Sequence, residues 1–219
     1  MVQEADPVSD PEGTAVSQGP VLVTGPSRSG KSEWAEYLAL QRQQPVTYVA
    51  TAIADPEDPE WQARLQLHRD RRPDQWQTVE APQDLAIALP KIPTEHTILL
   101  DSLGTWVANH LEASDRDWQI LDSTLVDTLT AIGDRAIIVA EETGWGVVPA
   151  YPLGRQFRDR LGTLTRHVAY HSSQVFLVTA GYAIDIKRYG QPVPPSNPSG
   201  KHPAKEGDPK QEKNSKQET

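Results

Sequence analysis

Residues 21–32 read Val-Leu-Val-Thr-Gly-Pro-Ser-Arg-Ser-Gly-Lys-Ser, a short apolar run leading into a full match to G-x-x-x-x-G-K-[ST]. That pattern has a mechanical meaning only between a strand and a helix, and the flanks supply both. Residues 21–24 suit a buried strand, and residues 31–42 carry apolar positions at helical spacing. Gly25 and Gly30 let the backbone turn and approach phosphates closely, and the loop N–H groups donate to the phosphate oxygens. The following helix adds the partial positive charge of its N-terminus. Gly25, Pro26, Ser27, Arg28, Ser29, Gly30, Lys31 and Ser32 are therefore the expected phosphate-binding stretch. Lys31 is expected to reach the β- and γ-phosphates, and Ser32 to ligate Mg²⁺.

Working outward, further short runs rich in Val, Ile and Leu lie at 46–51, 97–101, 136–141 and 175–179. Helical patterns separate them at 59–71, 103–111, 118–132 and 153–172. Alternation of this kind predicts a mostly parallel α/β sheet with helices on both faces. Gly181-Tyr182 predicts a tight turn into a short antiparallel edge strand over 183–188. A phosphate loop also calls for an acid at the end of another apolar strand, holding the Mg²⁺ from the far side. Asp101, closing Thr-Ile-Leu-Leu-Asp, fits that role, although a strand-end Asp can equally cap the next helix.

Residues 1–19 and 190–219 are polar and rich in Pro, Gly, Ser and charge, so they read as disordered tails around one domain at 20–189. The chain carries a net charge of −9; four acids and no base lie in the first tail, and five Lys against four acids in the second. The domain between them stays near −6, by −9 + 4 − 1, which argues against general nucleic-acid binding. With no cysteine, disulfides and thiolate metal sites are excluded. No segment reads as a secretory leader or a membrane span, so a cytoplasmic protein is expected.

One histidine stands apart. Within residues 59–73, helical spacing sets Trp61, Leu65 and His68 on one stripe, with Arg64, Arg69, Arg71 and Arg72 nearby in sequence. By side-chain chemistry alone, His68 reads either as a core-edge histidine beside a solvated basic face or as a nucleophile. In the second reading arginines neutralise phosphate charge while the imidazole attacks phosphorus.

Seven segments, spaced in one order across 21–188, carry a family resemblance. They are residues 22–32, Tyr-Val-Ala-Thr at 48–51, residues 63–73, Trp-Gln-Thr-Val-Glu at 76–80, Asp-Ser-Leu-Gly-Thr-Trp-Val-Ala-Asn at 101–109, Gly-Trp-Gly-Val-Val-Pro at 144–149 and Arg-Gln-Phe-Arg-Asp at 155–159. In these the chain resembles the bifunctional adenosylcobinamide kinase / adenosylcobinamide-phosphate guanylyltransferases of cobalamin biosynthesis. The resemblance implies a P-loop NTPase fold with a RecA-like sheet, a homotrimer, and two reactions. ATP or GTP phosphorylates the aminopropanol hydroxyl of the corrinoid, and GMP from GTP is then transferred to that phosphate, releasing pyrophosphate. His68 falls where the family takes GMP as a covalent intermediate. Thr51, Ala52, Ile53, Arg69, Asp70, Arg71, Arg72, Glu80 and Asp101 fall at GTP-contacting positions. The arginines should lower the His68 pKa and so favour the neutral, attacking form.

Two departures stand out. Glu-Glu-Thr-Gly at 141–144 replaces the usual Asn-Glu-Val-Gly, and Thr165-Arg166 replaces a common Asn-Gln. Both bear on corrinoid contacts and the subunit interface more than on nucleotide binding. Glu141 and Glu142 read either as residues orienting the nucleotide or as a solvated strand end. His167 and His171 have a metal-compatible spacing but lack a third ligand. Of the six tryptophans, Trp145, set between two glycines, is the candidate for contact with a corrin ring; the others read as packing.

Overall fold

The structure is a computed structural model that describes residues 18–53, 55 and 57–194. Of the tails expected at 1–19 and 190–219, residues 1–17 and 195–219 lie outside the described residues. Seven strands form one sheet: β1 (Val21–Gly25), β2 (Val46–Ala50), β3 (Gln77–Glu80), β4 (Thr97–Asp101), β5 (Ala136–Glu141), β6 (Gln174–Thr179) and β7 (Tyr182–Asp185). Their order is β3-β2-β4-β5-β1-β6-β7, parallel throughout except for the antiparallel β6–β7 pair. The helices are α1 (Lys31–Gln41), α2 (Pro59–Asp70), α3 (Leu85–Ala88), α4 (Leu103–Asn109), α5 (Asp115–Ile132), α6 (Pro152–His171) and α7 (Ile186–Tyr189). This is the mostly parallel α/β sheet with helices on both faces that the sequence pattern predicts, in the P-loop NTPase arrangement that the resemblance implies.

The central strands are buried on both faces because their side chains alternate between two cores. Leu22 joins Trp106, Leu125 and Leu161 beneath α4, α5 and α6, while Val21 and Val23 pack with Ala35 and Ala39 of α1. The small Ala35 and Ala39 are fully buried, so α1 lies close against the sheet below the phosphate loop. Ser114 caps α5 by accepting from the Asp117 N–H at 3.2 Å, four residues before the helical pattern at 118–132 that marks it in sequence. Because β1 to β6 run parallel, Gly25, Ala50, Glu80, Asp101 and Glu141 all end on one edge of the sheet.

Two strands differ from expectation. The edge strand is Tyr182–Asp185 rather than 183–188, because the Asp185 carboxylate accepts from the N–H groups of Lys187 (3.0 Å) and Arg188 (3.4 Å). That cap starts the short helix α7 and ends the strand. β3 was not expected as a strand: it is an edge strand that leaves Gln77, Thr78 and Glu80 exposed, so it lacks the apolar run that marks its neighbours. At the other end of the chain, Gly19 and Pro20 are tied down by Ser173, whose Oγ donates to the Gly19 carbonyl at 2.7 Å and whose N–H donates to Pro20 at 2.8 Å.

Candidate functional site

The phosphate loop is shaped by two constraints. Gly25 closes β1 against β6, and a Cβ there would run into the Val178 carbonyl oxygen and lie 2.8 Å from Ser29 Oγ. The loop then turns through two left-handed residues, Arg28 (φ 59°) and Gly30 (φ 95°), a geometry that points successive N–H groups into a concavity suited to an anion. Lys31 lies across the loop with Nζ 3.4 Å from the Pro26 carbonyl, a long bond that leaves the ammonium available to a phosphate. Ser29 in the loop and Ser32 in the first turn of α1 are buried, and Ser29 Oγ has no partner among the described residues.

One strand, β5, stands between the loop strand and the strand that ends in Asp101. The Asp101 side chain is 11 % exposed, and its Oδ2 accepts from the Tyr48 hydroxyl at 2.9 Å. Burial pushes the Tyr48 phenol far up, so it stays protonated and donates. Ser32 hydroxyl and Asp101 carboxylate are hard oxygen donors of the kind Mg²⁺ takes beside phosphate and water. Glu141, paired in register with Gly25, is no solvated strand end. Its Oε1 accepts from Ser102 Oγ at 2.5 Å and its Oε2 from the Gly104 N–H at 2.9 Å, which fixes the start of α4 directly after Asp101. Burial raises the Glu141 pKa; the Ser102 bond and the Lys31 charge lower it, while Asp101 raises it further.

Helix α2 brings the histidine to this edge. Asp58 caps it by accepting from the Trp61 N–H at 2.9 Å, and the Trp61 indole donates to the Ile53 carbonyl at 2.9 Å, tying the helix to the segment after β2. At its far end Arg71 reaches α1, pairing with Glu33 at 2.6 Å and Glu36 at 3.1 Å. Arg72 lies over the Tyr48 ring at 3.5 Å. These ties place His68 Nδ1 at 3.8 Å from Asp101 Oδ2 and at 3.3 Å from Arg71 Nη2. A guanidinium can only donate, so in this arrangement Nδ1 carries the lone pair. Burial lowers the His68 pKa; Asp101 opposes the shift, and Arg71 and Arg72 add to it. The ring is therefore neutral at neutral pH.

The remaining sequence-chosen residues fall around this centre. Thr51 is fully buried, and its Oγ1 donates to the Ser102 carbonyl at 2.7 Å and meets Thr105 Oγ1, so its hydroxyl braces the Asp101 turn. Ala52 is half-buried and Ile53 exposed in the segment that α2 covers. Arg69 pairs with Glu80 across 3.6 Å at the solvent side, and Asp70, exposed, accepts from Gln66 at 2.6 Å. Tyr48, Glu33 and Glu36 have no assigned part in the sequence reading, although Tyr48 belongs to one of the seven segments that carry the family resemblance. His167 pairs with Asp122 at 2.6 Å between α6 and α5. Trp76, Trp106 and Trp118 are core residues, whereas Trp145 is 61 % exposed.

The chain is also similar to known proteins. The family model described as cobinamide kinase / cobinamide phosphate guanyltransferase matches residues 21–186. The bifunctional adenosylcobalamin biosynthesis protein CobP of Pseudomonas aeruginosa is 38 % identical over 176 residues, 78 % of this chain and 98 % of the relative. The CobU proteins of Escherichia coli and Salmonella typhimurium, described likewise, are 34 % and 32 % identical over 182 residues, each 76 % of this chain and 99 % of the relative.

Proposed function

Because the chain belongs to the cobinamide kinase / cobinamide phosphate guanyltransferase family, we propose that the carboxyl edge of its sheet carries out both reactions, the phosphate loop serving the kinase and His68 the guanylyl transfer. The protein is a bifunctional enzyme of cobalamin biosynthesis. The observation that carries the two-reaction site is the meeting of His68 with Asp101 at 3.8 Å, on the edge where the phosphate loop ends.

In the first reaction the loop N–H groups and Lys31 hold the β- and γ-phosphates of ATP or GTP and stabilise the charge on the transferring group. The corrinoid hydroxyl oxygen bonds to Pγ, the bond from Pγ to the nucleoside diphosphate breaks, and the hydroxyl proton is released. In the second, a lone pair of neutral His68 attacks the α-phosphorus of GTP; a P–N bond forms and pyrophosphate leaves. An oxygen of the corrinoid phosphate then attacks the same phosphorus, the P–N bond breaks, and the ring recovers its lone pair. Arg69, Arg71 and Arg72, with Thr51, Ala52, Ile53, Asp70 and Glu80, form the surroundings of the GTP. Ser32 and Asp101 are the residues that would hold Mg²⁺, which when bound supplies neutralisation of phosphate charge. Assembly as a homotrimer and a cytoplasmic location are carried by the family resemblance. Among the described residues no helix is long and apolar enough to cross a membrane.

Two labels test this reading. With cobinamide and Mg²⁺, γ-labelled GTP should pass label to the corrinoid, and α-labelled GTP should then pass label with release of pyrophosphate. Entry of neither label would refute the assignment.

The electrostatics around His68 predict a pH effect. A lowered pKa keeps the ring unprotonated above an acid limb that lies below the ordinary imidazole value of about 6.5. Removing the Arg71 guanidinium removes one of the charges that depress it. Arg71→Ala should therefore move the acid limb of protein guanylylation to higher pH, measured by initial rates from acid to neutral pH. An unchanged limb would mean that Arg71 does not act on the ring.

A further inference from the structure

On the other face of the sheet from α1, a cavity of about 610 Å³ lies between α6 and the ends of β1 and β5. Its place follows from the topology. β1 leads through α1 to β2 on one side, whereas β5 leads through α6 to β6 on the other, and the two helices cover opposite faces. The loops after these adjacent strands therefore part, and the crevice at such a switch point is where open α/β sheets take ligands. The phosphate loop occupies one side of that crevice, and the cavity occupies the other.

The walls are those of a site for a short polar arm. Leu22 and Val175 form an apolar floor. Thr24 Oγ1 and Thr165 Oγ1, both on lining residues, are buried with no hydrogen-bond partner among the described residues, and Thr24 is 8 % exposed. Buried hydroxyls are as a rule paired, so two orphans on one cavity ask for a polar occupant. Arg166 brings a cation to the same wall. Thr24 lines the cavity and is followed directly by Gly25, and Glu141, which also lines it, is paired in register with Gly25, so the cavity adjoins the start of the phosphate loop. At the mouth, Arg158 donates to the carbonyls of Gly144 and Gly146, pinning a loop whose Trp145, Val147 and Val148 remain exposed.

We infer that this cavity binds the phosphate acceptor: the hydroxyl-bearing arm of the corrinoid, and afterwards its phosphate ester, enters beside Thr24, Thr165 and Arg166, with the ring outside against the Arg158-pinned loop. The inference rests on the kinase and guanylyl-transfer reading. A cavity of this volume falls within the range of small-ligand sites and is too small for a whole corrinoid, so only the arm enters. The arm's hydroxyl then approaches the γ-phosphate from behind the loop, while His68 serves the α-phosphate from the α2 side. Thr165 and Arg166 thus become specificity-determining residues, at positions where the chain departs from the family's Asn-Gln.

The test uses the full chain and cobinamide itself, titrated by quenching of tryptophan fluorescence, beside protein guanylylation from labelled GTP without acceptor. Gly162→Leu fills the cavity from α6, where a Cβ meets nothing within 4 Å. It should weaken cobinamide binding by at least about tenfold. Thr165→Val keeps the shape and removes one hydroxyl, and should weaken binding by about three- to tenfold. Both should leave guanylylation at the wild-type rate; if Gly162→Leu also loses guanylylation it has disturbed the fold, and Thr165→Val decides. Wild-type cobinamide affinity in Thr165→Val, or in both variants, would overturn the cavity assignment while leaving the function standing. Failure of the wild-type protein either to bind cobinamide or to pass label to it would overturn both.

Discussion

His68→Ala should abolish guanylyl transfer while leaving phosphorylation of the corrinoid alcohol. Transfer should fall by at least about 10³-fold, because the change removes the atom that bonds to phosphorus rather than a group that assists it. Denatured variant protein should retain no label from α-labelled GTP. Loss of folding is not the cause to expect: the side chain is 39 % exposed and lies on the surface of α2. Substitutions of that kind usually change stability by no more than about 0.5 kcal/mol. The kinase reaction uses the loop at the end of β1, and nothing in its chemistry passes through the ring. Loss of both activities with an unchanged thermal midpoint would contradict the division of labour between the two centres.

The complementary change is Lys31→Ala. Its ammonium makes one long bond within the loop, to Pro26 at 3.4 Å, so its removal leaves the loop's glycine-imposed shape in place. What it removes is a charge aimed at the transferring phosphoryl group. Losing one such preorganised contact costs about 10²–10³ in rate in comparable sites. Cobinamide phosphorylation should fall by about that factor at saturating substrate. Persistence of the kinase rate would remove the loop from the reaction.

The loop was legible in sequence because its requirement is local: glycine where the backbone must turn, lysine and serine at the next helix start. The structure adds a reason that no local reading supplies, the Val178 carbonyl pressed against Gly25 from β6. His68 was legible as a position but not as a chemical group. Helical spacing gives it a face, yet what that face meets is set by Asp101 and by Arg71, which Glu33 and Glu36 hold against α1, and these groups become neighbours only when α2 docks. The same holds for Glu141, whose two partners Ser102 and Gly104 belong to another strand–helix junction. β3 is not legible because an exposed edge strand needs no apolar run, and 183–188 reads as one strand because the capping role of Asp185 depends on its carboxylate accepting from the N–H groups of Lys187 and Arg188. Pattern reports burial well; it does not report which buried groups face one another.

The central claim is that one histidine holds the guanylyl group beside a phosphate loop that serves a different phosphorus. Its most direct measurement is to guanylylate the intact protein from GTP, digest it under basic conditions that preserve phosphoramidates, and locate the modified residue by mass spectrometry. The modification should sit on His68 alone. Modification of Lys31, of another histidine, or of no residue at all would contradict the account.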